Sequence, residues 1–84
     1  MNNKLSNEFG VKPLTLIKKY IDKPIKVTLK NEVAYSGVML ETDNYMNLVL
    51  EKATEFYNND RRANYPYILI RGNNIMYIQL EYSE

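Results

Sequence analysis

The 84-residue sequence contains no cysteine and no histidine. Without thiols a disulfide is excluded, and without thiolate or imidazole the usual ligands of a structural zinc site are gone. No Cys–His pair, Ser–His–Asp triad or histidine acid–base can be assembled, so any catalysis would rest on carboxylates. Long apolar runs are missing as well. None approaches the roughly 18 residues of a membrane-spanning helix, and the opening MNNKLSNEFG lacks the apolar core of a signal peptide. A cytoplasmic, intracellular protein with no metal, cofactor, small-molecule substrate or membrane partner is expected.

A large excess of one charge is also lacking, since the formal net charge is only +1. That argues against gripping a polyanion by bulk charge. The charges are nevertheless segregated. Residues 1–30 balance to +5, residues 31–60 to −5 and residues 61–84 to +1, which leaves room for one basic face.

What is present is an ordinary globular composition, 45% hydrophobic and 25% charged, which excludes a disordered chain. One domain fits in this length and two do not. A domain so small buries only about 60% of the surface its unfolded chain exposes. With disulfide and zinc excluded, self-association is the remaining source of burial.

Residues 1–12 are polar and aperiodic and read as a flexible arm. The folded domain is expected over 13–82. Pro13 suits the first turn of a helix. Leu14, Ile17 and Ile21 follow at helical spacing, and Pro24 forbids helix at the residue before it, so a helix is predicted from 13 to about 21. It is too short to be stable alone. Five strands follow. Ile25, Val27 and Leu29 alternate with polar residues. Residues 33–42 form a second strand carrying Gly37, which marks a bend or a close backbone approach. A third strand is predicted over 46–56, a polar loop over Tyr57 to Asn64, a fourth strand over 65–70 and a fifth over 75–80.

Five short, bent antiparallel strands close readily into a small barrel. The last two, YILI and IMYIQL, are apolar on both faces. Strands with one wet face alternate, so a second cover is implied, and the one helix is already used. Strands four and five are therefore expected to pair with neighbouring subunits, with Ile70 and Ile78 serving the contact.

Two spans stand out together: Gly37 to Leu50, which contains Asp43-Asn44-Tyr45-Met46-Asn47, and Ile70-Arg71-Gly72-Asn73. They resemble the two sequence motifs of the Sm/Lsm family, in the same order and behind the same short helix. The archaeal Sm-like proteins fit best. The motif residues also resemble the F-type branch of eukaryotic hetero-rings. Short arms, no Arg/Gly tail and an intact second motif fit an archaeal self-assembling protein better, and bacterial Hfq lacks Ile-Arg-Gly.

The resemblance implies an Sm fold, mainly β: a short N-terminal helix and a strongly bent five-stranded antiparallel barrel. It implies a ring, most simply a homoheptamer, in which the fourth strand of one subunit pairs with the fifth of the next. It further implies that single-stranded uridine-rich RNA binds at the central pore. Tyr45 then stacks on a base, Asn47 reads its edge and Arg71 covers its other face. Gly72 and Asn73 complete the turn and Asp43 orders the first loop. The chemistry is coherent in itself: aromatics and guanidinium planes stack on splayed bases, and an amide supplies both the donor and the acceptor that uracil requires. No nucleophile–base pair arises, so no enzyme is expected. A hetero-ring subunit or a protein–protein scaffold without RNA are the alternatives.

Two departures stand out. Asn73 occupies a position that is often Asp in the family, and Tyr65-Pro66 replaces a Leu-Gly pair before the fourth strand.

Overall fold

The structure is a computed structural model that describes residues 13–83, so the arm expected over 1–12 lies outside the described residues. The element order is α1 (Pro13–Lys18), β1 (Pro24–Leu29), β2 (Val33–Thr42), β3 (Leu48–Tyr57), β4 (Asp60–Ile70) and β5 (Ile75–Leu80). The strands form one antiparallel sheet in the order β4-β3-β2-β1-β5.

Apart from β3, which runs Leu48–Tyr57 rather than 46–56, two boundaries differ from the sequence reading. The helix proper ends at Lys18 rather than near residue 21. Beyond it the amides of Lys19, Tyr20 and Lys23 bond three residues back, a tighter winding. Asp22, at φ 69°, then turns the chain onto β2, where its N–H meets the Met39 carbonyl at 2.7 Å and the Met39 N–H meets the Lys23 carbonyl at 3.1 Å. Ile21 is consequently left partly exposed while Ile17 enters the core.

The second difference is larger. The polar loop expected over 57–64 is mostly strand: β4 begins at Asp60, and only Asn58 and Asn59 turn the chain. Both have positive φ, 50° and 69°, as a tight two-residue hairpin connection requires. Asparagine tolerates that region, so the Asn-Asn pair was the legible signal, outweighed by the polarity of the flanking residues.

Gly37 sits where the sheet folds over. The β2–β3 register slips between Ser36 and Val38, and Lys52 opposite adopts φ 52°. A Cβ on Gly37 would lie 2.8 Å from the Glu51 carbonyl oxygen and 3.3 Å from Ala53 Cα, so only glycine lets the bulged strand approach this closely. The bend wraps the sheet around Ile25, Val27, Met39, Leu48, Leu50, Ala53 and Ile70, with Ile17 of α1 closing the cluster.

β4 is bonded only to β3 and β5 only to β1. These two edges carry the most exposed large apolar side chains of the sheet, among them Tyr67 and Leu69 (each 66% exposed), Met76 and Tyr77. Ile70 and Ile78 do not have the role expected of them. Ile70 is 3% exposed and part of the core, and Ile78 packs against that core half-buried. The strand alternation sends them inward and leaves their neighbours outside.

Candidate nucleic-acid interface

Leu48 pairs with Ile70 at the open end of the β3–β4 hairpin. Asn47 and Arg71 therefore leave the sheet side by side, and two loops meet there: residues 43–47 and the single 3-10 turn Gly72–Asn74.

Asp43 organises the first loop. Its Oδ1 accepts the backbone N–H groups of Tyr45 (2.8 Å) and Asn47 (3.0 Å), and its Oδ2 accepts Asn47 Nδ2 at 2.9 Å. The Asp43 carbonyl takes the N–H of Met46, which turns at φ 61°. The side-chain hydrogen bond from Asn47, helped by the backbone N–H groups and opposed by partial desolvation, holds the Asp43 carboxyl below its ordinary value.

A lowered carboxyl value means that the ordered loop favours the ionised form. Loop order is thus fully supported above the ordinary carboxylate range and is lost as pH falls through the still lower value of the folded loop. Asn47→Ala removes the largest cause, so the Asp43 titration should move upward. Following the Asp43 side-chain carbon by NMR in both proteins checks this; coincident titrations would contradict it.

Asn47 joins the two loops. Its Oδ1 accepts the Gly72 N–H at 2.8 Å while its Nδ2 donates to Asp43. An amide has two N–H donors and two acceptor lone pairs, so one of each remains. Gly72 is packed against the first loop so closely that an added Cβ would overlap the Tyr45 carbonyl oxygen and come within 2.9 Å of the Met46 carbonyl carbon. The 3-10 turn closes with Asn74 N–H on the Arg71 carbonyl at 3.0 Å.

Of the sequence-derived site residues, Asp43, Asn47 and Gly72 form one hydrogen-bonded unit, and Tyr45 joins it by its backbone. The Tyr45 ring stands in solvent, 82% exposed. Arg71 and Asn73 are exposed on the second turn. Among the described residues the cation–ring contacts involve Lys26 and Arg62, not Arg71, so the space between Tyr45 and Arg71 is not filled by a stack of the two. The interlock of Asn47 with Gly72 was not read from the sequence; a glycine immediately after the turn arginine was its only trace.

The profile of the LSM domain matches residues 15–80, nearly all of the described chain. The chain belongs to the LSM domain family. Among curated relatives, the U6 snRNA-associated Sm-like protein LSm6 of Neurospora crassa is 38% identical over 95% of this chain and 98% of its own. A putative snRNP Sm-like protein of Thermoplasma acidophilum is 32% identical over 82% and 83%. Among solved structures, the Sm protein of Pyrococcus abyssii in complex with a uridine heptamer superposes with a TM-score of 0.79 at 30% identity, covering 82% of this chain and 97% of that one. An Sm-like protein of Archaeoglobus fulgidus gives 0.76 at 34% identity, over 83% and 95%. The LSM domain thus accounts for the short helix and the bent five-stranded sheet alike.

Chemically, the site offers an exposed ring, an amide with one donor and one acceptor free, and a guanidinium on the neighbouring turn. No helix among the described residues is long and apolar enough to cross a membrane.

Proposed function

We propose that this LSM domain protein is a non-catalytic RNA-binding protein that assembles into a ring and holds uridine-rich single-stranded RNA, in RNA processing or turnover. The observation that carries the reading is the Asn47 amide. It is fixed at both ends by Asp43 and Gly72, retains one donor and one acceptor, and shares its loop with Tyr45, whose ring is exposed. Uracil presents a matching donor and acceptor on its pairing edge. The likeness to the Pyrococcus Sm protein, solved with a uridine heptamer, supports the same ligand class. Asp43 stays a loop-ordering residue, because both its oxygens are already bonded.

Ring formation follows from the two open apolar edges. β4 of one copy meets β5 of the next, and the simplest product is a homoheptamer. The similarity to fungal LSm6 proteins favours a second reading, one subunit of a hetero-oligomeric ring. Native mass spectrometry of the purified chain separates them: a closed ring of one chain supports the first, and assembly only with other LSM subunits supports the second.

The function is tested with homopolymers. Oligouridine should bind more tightly than oligocytidine or oligoadenine, and Asn47→Ala should reduce the preference more than the total affinity. Equal binding of all three by the wild type would remove the basis of the reading.

Tyr45 and Arg71 should fail differently. Tyr45→Leu removes a stacking face and no charge, so each occupied pocket should lose about 1–3 kcal/mol with little change in salt dependence. Arg71→Gln removes one positive charge per subunit and should flatten the log–log salt slope, by about 0.7 for each phosphate that is no longer neutralised. Affinity for one oligouridine across a salt series measures both. Wild-type binding by Tyr45→Leu at every salt concentration would place the pocket elsewhere.

A further inference from the structure

The Tyr65-Pro66 pair, one of the two departures in the sequence, falls inside β4. Proline cannot donate to a ladder and is confined to strand edges and irregularities. In the isolated chain β4 is an edge strand. In the proposed ring it becomes an inner strand, with β3 on one side and the neighbour's β5 on the other. Pro66 must therefore leave a missing donor on one of those sides.

The β3–β4 register decides which. Glu51 pairs with Tyr67 and Ala53 with Tyr65, and the ladder skips Lys52 and Pro66 between them. Successive residues of an antiparallel strand direct their N–H and C=O groups to opposite sides. If Pro66 faced β3, its missing N–H would break the bonds that frame the pairs on either side, yet both pairs are formed. Tyr65 and Tyr67 thus face β3, and Pro66 turns its nitrogen to the open edge. That edge is divided into two unlike parts. Residues 67–70 are apolar, with a donor at Ile68 and Ile70. Residues 60–65 include Asp60, Arg61, Arg62 and Asn64 and carry the register shift opposite Glu55 and Phe56.

The lengths make this matter. β4 has eleven residues and β5 six, so a neighbour's β5 has several places along the β4 edge. A shift by two residues keeps every side chain on its own face, and facing alone does not forbid it. We propose, resting on the ring reading above, that Pro66 is the register stop of the subunit contact and confines the neighbour's β5 ladder to the part of the β4 edge that follows it. A slip toward Asp60 would draw the ladder across Pro66 and leave a carbonyl of the neighbour's β5 covered and without a donor. The loss would recur at every contact, so one register is kept, and with it one geometry of closure.

The chain has no cysteine, so introduced pairs report contacts between copies without background. Leu69→Cys is combined in turn with Tyr77→Cys, Gln79→Cys and Glu81→Cys, which lie two residues apart along β5 and just past its end. The assembled full-length protein is oxidised and covalent oligomers are counted on a denaturing gel. With Pro66 in place one pair should dominate. Pro66 is exposed, so Pro66→Ala and Pro66→Thr should leave the protomer folded, as circular dichroism checks. In both, a second, adjacent pair should rise to a comparable yield, and native mass spectrometry should show several assembly sizes in place of one. One dominant pair and one size in both variants, or two comparable pairs with Pro66 in place, overturns the inference and leaves the β4–β5 contact standing. Absence of covalent oligomers from all three pairs overturns that contact itself, and the register stop falls with it.

Discussion

Gly72→Ala is expected to abolish oligouridine binding while leaving the sheet folded. The added methyl would meet the Tyr45 carbonyl oxygen and the Met46 carbonyl carbon and oxygen, the latter two at 2.9 and 3.0 Å. All three are backbone atoms, so no rotamer change relieves the overlap. The second turn must move away, and the bond from the Gly72 N–H to Asn47 Oδ1 is the first to break. Asn47 then keeps its place only through Asp43, and the 43–47 loop loses its bond to the turn that carries Arg71. Overpacking of this kind costs about 1–3 kcal/mol. The loss in affinity should exceed tenfold, because positioning of the whole pocket is affected. Asn73→Ala, at the exposed neighbouring position, provides the contrast and should leave the melting temperature close to that of the wild type. Thermal unfolding and oligouridine titration of both variants measure this. A Gly72→Ala protein that binds like the wild type would show that the two loops are not one unit.

Leu69→Lys is expected to give folded protein that does not assemble. Leu69 lies on the β4 edge, 66% exposed in the isolated chain, so a lysine there leaves the core undisturbed. In a β4–β5 contact the same side chain would be covered, and a charge without a partner is strongly disfavoured there. The penalty repeats at every contact of a closed assembly. Ile70→Lys should behave otherwise: Ile70 is in the core, so the protomer itself should unfold. Circular dichroism combined with analytical ultracentrifugation separates the two outcomes. If Leu69→Lys assembles as the wild type does, the exposed face of β4 is not the contact.

The contrast between those neighbours shows what the sequence could and could not disclose. Both faces of ILI are apolar, so the excess over a single core was legible, yet periodicity does not say which face turns inward. That depends on the register with β3, where Leu48 meets Ile70. Gly37 was readable as a bend because glycine has little other use inside a strand, and the bulge at Lys52 supplied the reason. The strand content of residues 60–64 was hidden. An exposed edge strand needs no apolar alternation, so Asp60-Arg61-Arg62 reads as loop until its partner Glu55-Phe56-Tyr57 is known. At the candidate site the motif pointed to Asp43, Tyr45, Asn47 and Arg71 by residue type. The bonds that tie Asn47 to Gly72 join residues 25 positions apart, and no local pattern carries information over that distance.

The bend at Gly37 also bears on solubility. A sheet with two unlike open edges adds copies head to tail, and such growth either closes on itself or continues as a filament. The edges alone do not choose between the two, because they form the same contact in either case. The relative direction of one protomer's β4 and β5 edges chooses, and the register slip at Gly37 and Lys52 lies in the β2–β3 pair between those edges. In the proposed ring, a glycine far from either edge would thus bear on whether head-to-tail addition terminates, and so on whether two apolar strands escape the indefinite stacking that a flat sheet would permit.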